Sequence, residues 1–227
     1  MQKVIFVASD FHYGENQTEV LTPFLKLLAM AKDWNASLFL NGDLFNYWFE
    51  SRGQTPASCE PFLNGLKNAI DNGLNVTVLR GNRDFLMNDD FIKKTGANLV
   101  KEEQLVLQDF NVIITHGDQY DSSLKYRFYR KIIRSRFTRF MINQVSISFL
   151  MKVIRFLRKK GTNSVGYVYN LPLKVMCPKD FKIVLGHYHQ ENIRKLENGF
   201  VIFCPAFDTT PKVLKITKND FEFLRVV

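Results

Sequence analysis

Cysteine is scarce in this chain of 227 residues, and its three cysteines stand far apart, at Cys59, Cys177 and Cys204. Such a set argues against both the disulfide framework of a small secreted protein and a thiolate zinc site, which needs closely spaced cysteines. We therefore interpret the three as small buried hydrophobic residues. Glycine and proline are also few, at 12 and 7, while 46% of the residues are hydrophobic. This composition argues against disorder and predicts one sizeable core, with room for an inserted subdomain.

Long apolar runs are absent as well. The first run, residues 4–8, ends at Ser9 and Asp10 and is too short for the hydrophobic region of a secretory signal, so we expect a chain that begins in the cytoplasm. Lys152 and Arg155 interrupt the one longer apolar stretch, which therefore does not fit a membrane span. We also find no internal repeat of fixed period.

Acidic residues are missing from one long segment. Residues 122–179 contain 14 Lys plus Arg and no Asp or Glu, whereas the rest of the chain has 17 basic and 22 acidic residues. The net charge of +9 therefore comes from a mildly acidic body that carries one strongly basic segment. An ordinary solvated helical face would mix both signs, so this asymmetry favours an anionic surface or ligand as the partner of the segment.

The amino-terminal half alternates predicted strands with predicted helices. Apolar spacing predicts helices over residues 21–31, with Thr18 as the cap, and over residues 61–70. Runs of β-branched and aromatic residues that end in polar loops predict buried strands over residues 3–8, 37–40 and 76–79. This alternation is the signature of an α/β fold.

The pattern changes after Asn98. Short strands with few helices between them predict a more antiparallel, meander-like half, over residues 105–107, 112–115, 182–185, 200–203, 213–216 and 221–226. The exception lies within residues 122–161, where apolar residues recur at intervals of three and four. We interpret this segment as one broken helix or a helical pair.

Chemically active side chains follow the predicted strands, at the point where each strand ends. Asp10 and His12 lie two residues apart, and the period of two in extended chain would send both side chains to one side. Loops at the carboxyl ends of strands share one edge of an open α/β sheet, so distant residues meet there around one ligand. The complete set comprises two aspartates, one asparagine and four histidines: Asp10, His12, Asp43, Asn82, His116, His187 and His189.

All four histidines of the chain belong to this set. A lone histidine is more often a hydrogen-bonded structural residue. Four of four, in company with two aspartates and an asparagine, instead indicate a metal site. Mixed nitrogen and oxygen ligands suit manganese, iron or zinc better than magnesium, which favours oxygen.

The number of candidate ligands is enough for two metal ions. Two ions about 3.5–4 Å apart activate a bridging water and neutralise phosphoryl oxygens, and Asp43 is the natural bridging carboxylate. Arg83 is placed to bind a phosphate through its planar donors, the alternative being a salt bridge with Asp84 or another acid. Asp118 is expected either to orient a metal-bound histidine or to cap a turn.

These residues lie in five blocks, D-F-H, G-D-L-F-N-Y-W, G-N-R-D-F-L, H-G-D and G-H-Y-H, between Asp10 and His189. Each block alone is weak, but in this order they resemble the calcineurin-like metallophosphoesterase superfamily. The resemblance implies an α/β fold of two packed mixed β-sheets flanked by helices, in one domain over residues 1–227, with a basic helical insertion over residues 122–161. It assigns one divalent metal ion to Asp10, His12, Asp43 and His189, and the other to Asp43, Asn82, His116 and His187.

Two blocks are similar to those of the bacterial UDP-2,3-diacylglucosamine diphosphatases of lipid A biosynthesis: G-N-R-D-F-L, with Arg83 where many superfamily members have histidine, and G-D-L-F-x-x-W ending at Trp48. Those enzymes hydrolyse the pyrophosphate of a diacylated UDP-sugar to the lipid sugar 1-phosphate and UMP, typically with manganese. They carry a helical insertion after the H-G-D block that covers the acyl chains. This chain has an insertion at the same place.

That resemblance implies a cytoplasmic hydrolase, peripheral on the inner face of the cell membrane, whose partners are a lipid-linked UDP-sugar and an anionic membrane surface. It implies Asn82, Arg83 and His116 as catalytic residues, and Asn82, Arg83 and Tyr126 as substrate contacts. Tyr126 is equally consistent with a core aromatic residue of the insertion. Two departures concern the substrate: Tyr188 stands where threonine is usual, and residues 161–176 do not align with the substrate-binding region of that family.

Three other functions are consistent with parts of the sequence. A nucleotide pyrophosphatase or phosphodiesterase would keep the metal centre and act on a soluble or a different nucleotide-linked substrate. A nucleic-acid-binding protein or nuclease would use the basic segment against a phosphate backbone, but the apolar residues interleaved there fit lipid better than stacked bases. A binding scaffold on a decayed enzyme is disfavoured because all seven ligand types are present.

Overall fold

The computed structural model describes residues 3–51, 53–121, 124–160 and 175–227. Six helices lie in these ranges: α1 (Leu21–Asp33), α2 (Glu60–Asp71), α3 (Asp89–Thr95), α4 (Leu124–Ile133), α5 (Arg136–Gln144) and α6 (Ile147–Lys160). None of the helices in these ranges is long and apolar enough to cross a membrane. The predicted region of poor alignment, residues 161–176, falls almost entirely outside the described residues.

One sheet has six strands in the order β11-β10-β1-β2-β3-β4. Its central strands run parallel, whereas β10 pairs antiparallel with β1 and β11 antiparallel with β10. The strands are β1 (Ile5–Ala8), β2 (Ser37–Asn41), β3 (Val76–Leu79), β4 (Asn98–Val100), β10 (Lys212–Ile216) and β11 (Phe221–Arg225).

The other sheet has five strands in the order β5-β6-β7-β9-β8. The predicted antiparallel half is confirmed in part: β5 pairs antiparallel with β6, β8 with β9 and β10 with β11, whereas β6, β7 and β9 run parallel, which a meander does not allow. The helical insertion lies between β6 and β7 and provides the long crossover that parallel neighbours need. The strands are β5 (Gln104–Leu107), β6 (Val112–Thr115), β7 (Phe181–Leu185), β8 (Asn192–Leu196) and β9 (Gly199–Phe203).

The two sheets pack face to face, as predicted. Alternate residues of β1 divide between two cores: Ile5 and Val7 point between the sheets, and Phe6 and Ala8 point towards the helices. The inner core is completed by branched residues of the second sheet such as Ile114 and is apolar. The α/β architecture with two mixed sheets and flanking helices is confirmed, and it leaves the strand ends as the place for polar chemistry.

Two local predictions fail. The amino-terminal cap of α1 is Val20, and Thr18 contributes only its carbonyl, which accepts a hydrogen bond from the Leu21 amide at 3.1 Å. A residue three positions before the first helical residue is too far away for its hydroxyl to cap the helix. The insertion contains three helices, α4 to α6, and not one broken helix or a pair.

Candidate metal centre

The strand order explains how five separate sequence blocks meet. β1, β2 and β3 are parallel neighbours in the first sheet, so Asp10, Asp43 and Asn82 follow them at the same edge. β6 and β7 are parallel neighbours in the second sheet, so His116 and His187 share the corresponding edge there. Because the sheets stack, the two edges face each other and the side chains converge.

One group of donor atoms is built around Asp10. The carboxylate of Asp10 and the rings of His12 and His189 each place a ligand atom within 4.8 Å of the others. The Oδ1 atom of Asp10 lies 3.2 Å from His189 Nε2 and 3.8 Å from His12 Nε2. All three residues are among the four ligands that the resemblance assigns to one of the two metal ions.

A second group joins Asp43 to the histidine of the second sheet. Asp10, Asp43 and His116 again hold ligand atoms within 4.8 Å of one another. The Oδ1 atom of Asn82 lies 3.1 Å from His116 Nε2 and 2.9 Å from His187 Nδ1. The structure therefore brings all the predicted ligand side chains to one edge, while their individual ligand roles stay predictions.

Asp43 faces both groups. Its Oδ2 atom lies 3.5 Å from His12 Nε2, and its Oδ1 atom lies 3.6 Å from His116 Nε2. A carboxylate with one oxygen towards each group has the geometry that a bridging ligand requires. Asp10 also belongs to both groups.

The backbone conformation of the site residues differs from the extended one that the sequence predicted. Asp10, His12, Asp43, His187 and His189 all have positive φ angles, between 47° and 64°. The expected extended alternation at Asp10 and His12 is therefore wrong, because neither residue is in a β conformation. Left-handed backbone at residues other than glycine is costly and is typical of functional loops that the surrounding fold holds in place.

Asp208 is a site residue that the sequence analysis did not find. It follows β9, and its Oδ2 atom lies 2.8 Å from His12 Nδ1. The same oxygen accepts a hydrogen bond from Gln17 at 2.6 Å. Since an ionised carboxylate only accepts, His12 donates through Nδ1, so Nε2 is the nitrogen that carries the lone pair when the imidazole is neutral. The feature of the sequence that could have identified Asp208 is its position shortly after another apolar strand, β9.

The ring orientation of His116 is also fixed by a hydrogen bond at Nδ1, in this case with a backbone carbonyl. Its Nδ1 atom lies 3.0 Å from the Asn41 carbonyl oxygen, which can only accept. The Nε2 atom, which faces Asp43 and Asn82, is therefore the atom that carries the lone pair. The side chain of Asn41 in turn donates to the Thr115 carbonyl at 2.9 Å and ties β2 to β6 behind the site.

Asp84 has a structural role that the sequence did not predict. Its buried carboxylate accepts hydrogen bonds from the amides of Gly81, at 2.6 Å, and Leu44, at 2.7 Å. It thus joins the loop of Asn82 to the loop of Asp43. Burial and the charge of Asp43 raise the pKa of Asp84 to about 6, against the lowering effect of these two hydrogen bonds.

Arg83 forms an ion pair with another acid, Asp43, and not with Asp84. Its Nε atom lies 3.4 Å from Asp43 Oδ2, its Nη1 atom donates to Asn46 at 3.2 Å, and its own amide donates to Asp43 Oδ1 at 2.8 Å. About a third of the side chain is exposed. The guanidinium is therefore directed towards the site and is accessible to an anionic substrate.

Asp118 also differs from expectation. Its Oδ2 atom accepts hydrogen bonds from Tyr126 and Arg130 on α4 and from Arg134, directly after α4, at 3.1, 2.8 and 2.9 Å. The carboxylate that orients a histidine through a hydrogen bond is Asp208, whereas Asp118 binds the insertion. Asp118 lies on the short turn after His116, so this contact connects α4 to the metal centre.

Tyr188, the departure from the usual threonine, is buried. Its hydroxyl donates to the Gly117 carbonyl at 3.2 Å, and its ring packs edge-on against Phe203. It therefore ties the turn after His116 to the loop of His187. Tyr126 reaches the same loop from the insertion, with its ring centroid 5.9 Å from that of His187.

The charges of the site favour a cation. Burial raises the pKa of Asp10, but the hydrogen bond with His189 and the neighbouring imidazoles outweigh this effect and hold the pKa at about 2. Burial also opposes ionisation of Asp43, yet the cationic groups around it lower its pKa further. Burial lowers the pKa of His12, but Asp208 and Asp43 outweigh it and raise the pKa to about 9. Metal ions compete with protons for such imidazoles.

The residues present fit divalent metal ions. The Nε2 atom of His12 is buried and has no hydrogen-bond partner among the described residues, while Asp10 and Asp43 lie within 4 Å of it. A buried imidazole nitrogen without a partner costs free energy unless a ligand binds it. The donor set of imidazole nitrogens and carboxylate oxygens is one that first-row divalent metals accept.

Replacing Asp208 by asparagine tests whether the hydrogen bond from His12 to Asp208 supports metal binding. We expect Asp208→Asn to weaken manganese binding by about 10- to 100-fold, because the uncharged amide is a weaker acceptor and can also turn its NH2 group towards Nδ1, so the tautomer is no longer fixed. Isothermal titration calorimetry measures the loss directly. The matched control is Asp109→Asn, which removes an exposed carboxylate paired only with Lys3 at the surface. Parental affinity in Asp208→Asn would show that His12 is oriented by other contacts.

Comparison with known proteins agrees with this geometry. The family described as Calcineurin-like phosphoesterase matches residues 3–198. A UDP-2,3-diacylglucosamine hydrolase from Histophilus somni (strain 2336) is 26% identical and covers 99% of this chain and 100% of its own length. A protein of the same description from Pseudomonas fluorescens (strain SBW25) is 28% identical and covers 86% of this chain and 83% of its own.

The fold is also similar to that of Yfce, a phosphoesterase from E. coli, with a TM-score of 0.52 and 13% identity over 98% of this chain and 93% of the other. Divalent metal ions at an Asp/His cluster are typical of the matched family, and this chain has that cluster. The chain is a metallophosphoesterase and belongs to the calcineurin-like phosphoesterase family.

Proposed function

We propose that this protein hydrolyses the pyrophosphate of UDP-2,3-diacylglucosamine to 2,3-diacylglucosamine 1-phosphate and UMP. The observation that carries the proposal is an apolar and basic helical surface directly beside the Asp/His cluster. Two further facts support it: the full-length similarity to proteins described as UDP-2,3-diacylglucosamine hydrolases, and an arginine at position 83 that faces the site.

The helical surface is suited to acyl chains. Helices α4 to α6 expose large apolar side chains that a protein surface seldom presents together: Leu124, Phe128, Ile132, Phe137, Phe140, Met141, Phe149 and Val153. Phe137 and Phe128 are 72% and 69% exposed. Contiguous exposed apolar patches mark sites of contact with lipid or protein.

The insertion is joined to the site at two places. Ser51 donates to the Val145 carbonyl at 2.6 Å, so the junction of α5 and α6 meets the loop that follows Trp48. On the other side, α4 binds Asp118 through Tyr126 and the two arginines. A lipid-linked substrate on these helices would have its phosphates at the metal centre.

The chain's own residues supply orientation for this reaction. Arg83 binds the phosphoryl oxygens with its exposed guanidinium, and Asn82 holds the imidazoles of His116 and His187 in place. Asp208 and the Asn41 carbonyl fix the tautomers of His12 and His116. Divalent ions at the cluster, manganese in this proposal, supply Lewis acidity and an activated water when bound. Tyr126 borders the site and is the proposed contact from the insertion.

Substrate preference tests the proposal. We expect manganese-dependent release of UMP from UDP-2,3-diacylglucosamine in detergent micelles to exceed that from UDP-N-acetylglucosamine by at least about 100-fold in kcat/KM, because buried acyl chains contribute binding energy. An aryl phosphodiester serves as the third substrate. Activity on the small substrates alone would favour the alternative, a nucleotide pyrophosphatase or phosphodiesterase with another substrate.

Membrane contact is a separate part of the proposal. The exposed phenylalanines and the net positive charge of the insertion are suited to the inner face of the cell membrane, with its anionic lipids. We expect the triple variant Phe128→Ser, Phe137→Ser, Phe140→Ser to sediment less with anionic vesicles, by about tenfold in affinity for each phenylalanine removed. Ile193→Ser and Val106→Ser, on exposed edge-strand positions of the body, are the controls. Equal sedimentation of all variants would refute membrane contact through these helices.

A further inference from the structure

The geometry points to a latch, formed by Asp118, Arg130, Arg134 and Glu103, that positions helix α4 and Tyr126 over the metal centre. We infer that these four are positioning residues, which select for the lipid-linked substrate and do not take part in bond cleavage. The inference rests on the proposed function, since it concerns the way in which the insertion serves the same site.

Asp118 is the centre of the latch. Its side chain is only 3% exposed, and one oxygen accepts from three donors, two on α4 and one directly after it. Those donors, Tyr126, Arg130 and Arg134, are spaced by four residues, and the Arg134 amide continues the helical turn by donating to the Arg130 carbonyl, so the three lie along one face. A buried carboxylate with two guanidinium partners forms charge-assisted hydrogen bonds, which are stronger than neutral ones.

Glu103 closes the latch from the body of the protein. It lies directly before β5, and its Oε1 atom is 2.6 Å from Arg130 Nη2 and 3.5 Å from Arg134 Nη1. Each arginine therefore spans two carboxylates, and the two positive charges are balanced by two negative ones. About a fifth of each arginine side chain is exposed, so these pairs are partly shielded from water and salt.

The latch reaches the reacting groups from two sides. Arg134 Nη2 also lies 3.5 Å from the carbonyl of Gly81, which precedes Asn82. Tyr126, whose hydroxyl the latch holds, has its ring beside that of His187. When the latch is closed, α4 borders the metal centre and an acyl-bearing substrate finds its surface prearranged.

The segment also offers matched controls. Arg127 and Lys131 lie on the same helix, next to Tyr126 and Arg130 respectively, and are exposed. Neither makes an ion pair with the residues that the structure describes. Their replacement therefore changes the helix charge as much as replacement of Arg130 or Arg134 does, without touching the latch.

The experiment compares Arg130→Gln and Arg134→Gln with Arg127→Gln and Lys131→Gln in a neutral detergent. For the latch variants we expect amide hydrogen exchange in α4 to rise at least about tenfold, which corresponds to one charge-assisted pair. We expect kcat/KM for UDP-2,3-diacylglucosamine to fall by about tenfold or more, mainly through KM, and that for an aryl phosphodiester to stay within about twofold. The control variants should match the parent in exchange and in both activities.

A double-mutant cycle checks that the contacts form one unit. Asp118→Asn combined with Arg134→Gln should lose less than the product of the two single losses, because both remove the same pair. Arg134→Lys should recover part of the protection, since it keeps the charge. Equal loss on both substrates would assign Asp118 to the metal centre itself, and unchanged exchange in α4 would overturn the latch. Aryl phosphodiesterase activity without any diacylated activity would refute the proposed substrate while the exchange result still stood.

Discussion

His116→Ala is expected to reduce hydrolysis of every substrate by at least about 10³-fold, because a ligand of one metal ion is lost and with it several kcal/mol of charge stabilisation in the transition state. The fold should persist. His116 belongs to none of the apolar cores, and the Asn41 carbonyl that its ring contacts also accepts a hydrogen bond from Ser9 at 2.8 Å. Circular dichroism and bound manganese per chain should be measured beside activity.

The control for this change is Ile114→Val on β6, the strand that precedes His116. Ile114 is fully buried between the sheets, so its truncation should cost about 0.5–1.5 kcal/mol in the free energy of unfolding and leave turnover intact. We expect the manganese content of His116→Ala to fall from two ions towards one. Turnover within about tenfold of the parent, or two ions retained, would contradict the dinuclear prediction.

Gly81→Ala is expected to have the second large effect. A Cβ atom at this position would collide with the carboxylate and the backbone amide of Asp43, and the same carboxylate is fixed by a hydrogen bond from the Arg83 amide at 2.8 Å. Neither atom is the free end of a flexible side chain, so the loops of Asn82 and Asp43 must separate. A displacement of about 1 Å in such a site costs on the order of 100-fold in activity, and the overpacking costs about 1–3 kcal/mol in stability.

Gly73→Ala separates these two effects. No atom lies within 4 Å of a Cβ at Gly73, but its φ angle of +91° makes alanine strained. It should therefore lose about 1 kcal/mol of stability, measured by urea unfolding, and keep full activity. If Gly81→Ala retained the activity of Gly73→Ala, the close approach of the two loops would not matter for catalysis.

Residue patterns predicted the ligand side chains of the site but not the contacts that support them. Polar residues that follow apolar strands predicted that Asp10, Asp43 and His116 would meet, because parallel strands deliver their loops to one edge. The supporting contacts were not predictable in this way. Asp208 and Asp84 act through hydrogen bonds to a ring and to two amides, and such contacts depend on a loop path that strand periodicity does not describe.

The backbone conformation of the site residues could not be predicted from the sequence either. Asp10 and His12 do lie on the same side of the site as the period of two predicted, but their backbone is not extended, because both have positive φ. Left-handed residues are imposed by hydrogen bonds across loops, such as those from the amides of Asp10 and Phe11 to the carbonyls of Gly42 and Asp43. These bonds exist only when β1 and β2 are already paired.

The sequence by itself determined the fold class, the donor set of the metal centre and the segregation of positive charge, because all three follow from residue types and their spacing along the chain. Only the tertiary structure decided the partners of those charges and the paths of the loops. Arg130 and Arg134 belong to the basic segment whose composition predicted an anionic partner, and they are neutralised by Glu103 and Asp118. The reason is physical: an ion pair depends on a distance in space, which the order of residues does not specify until the two sheets have packed.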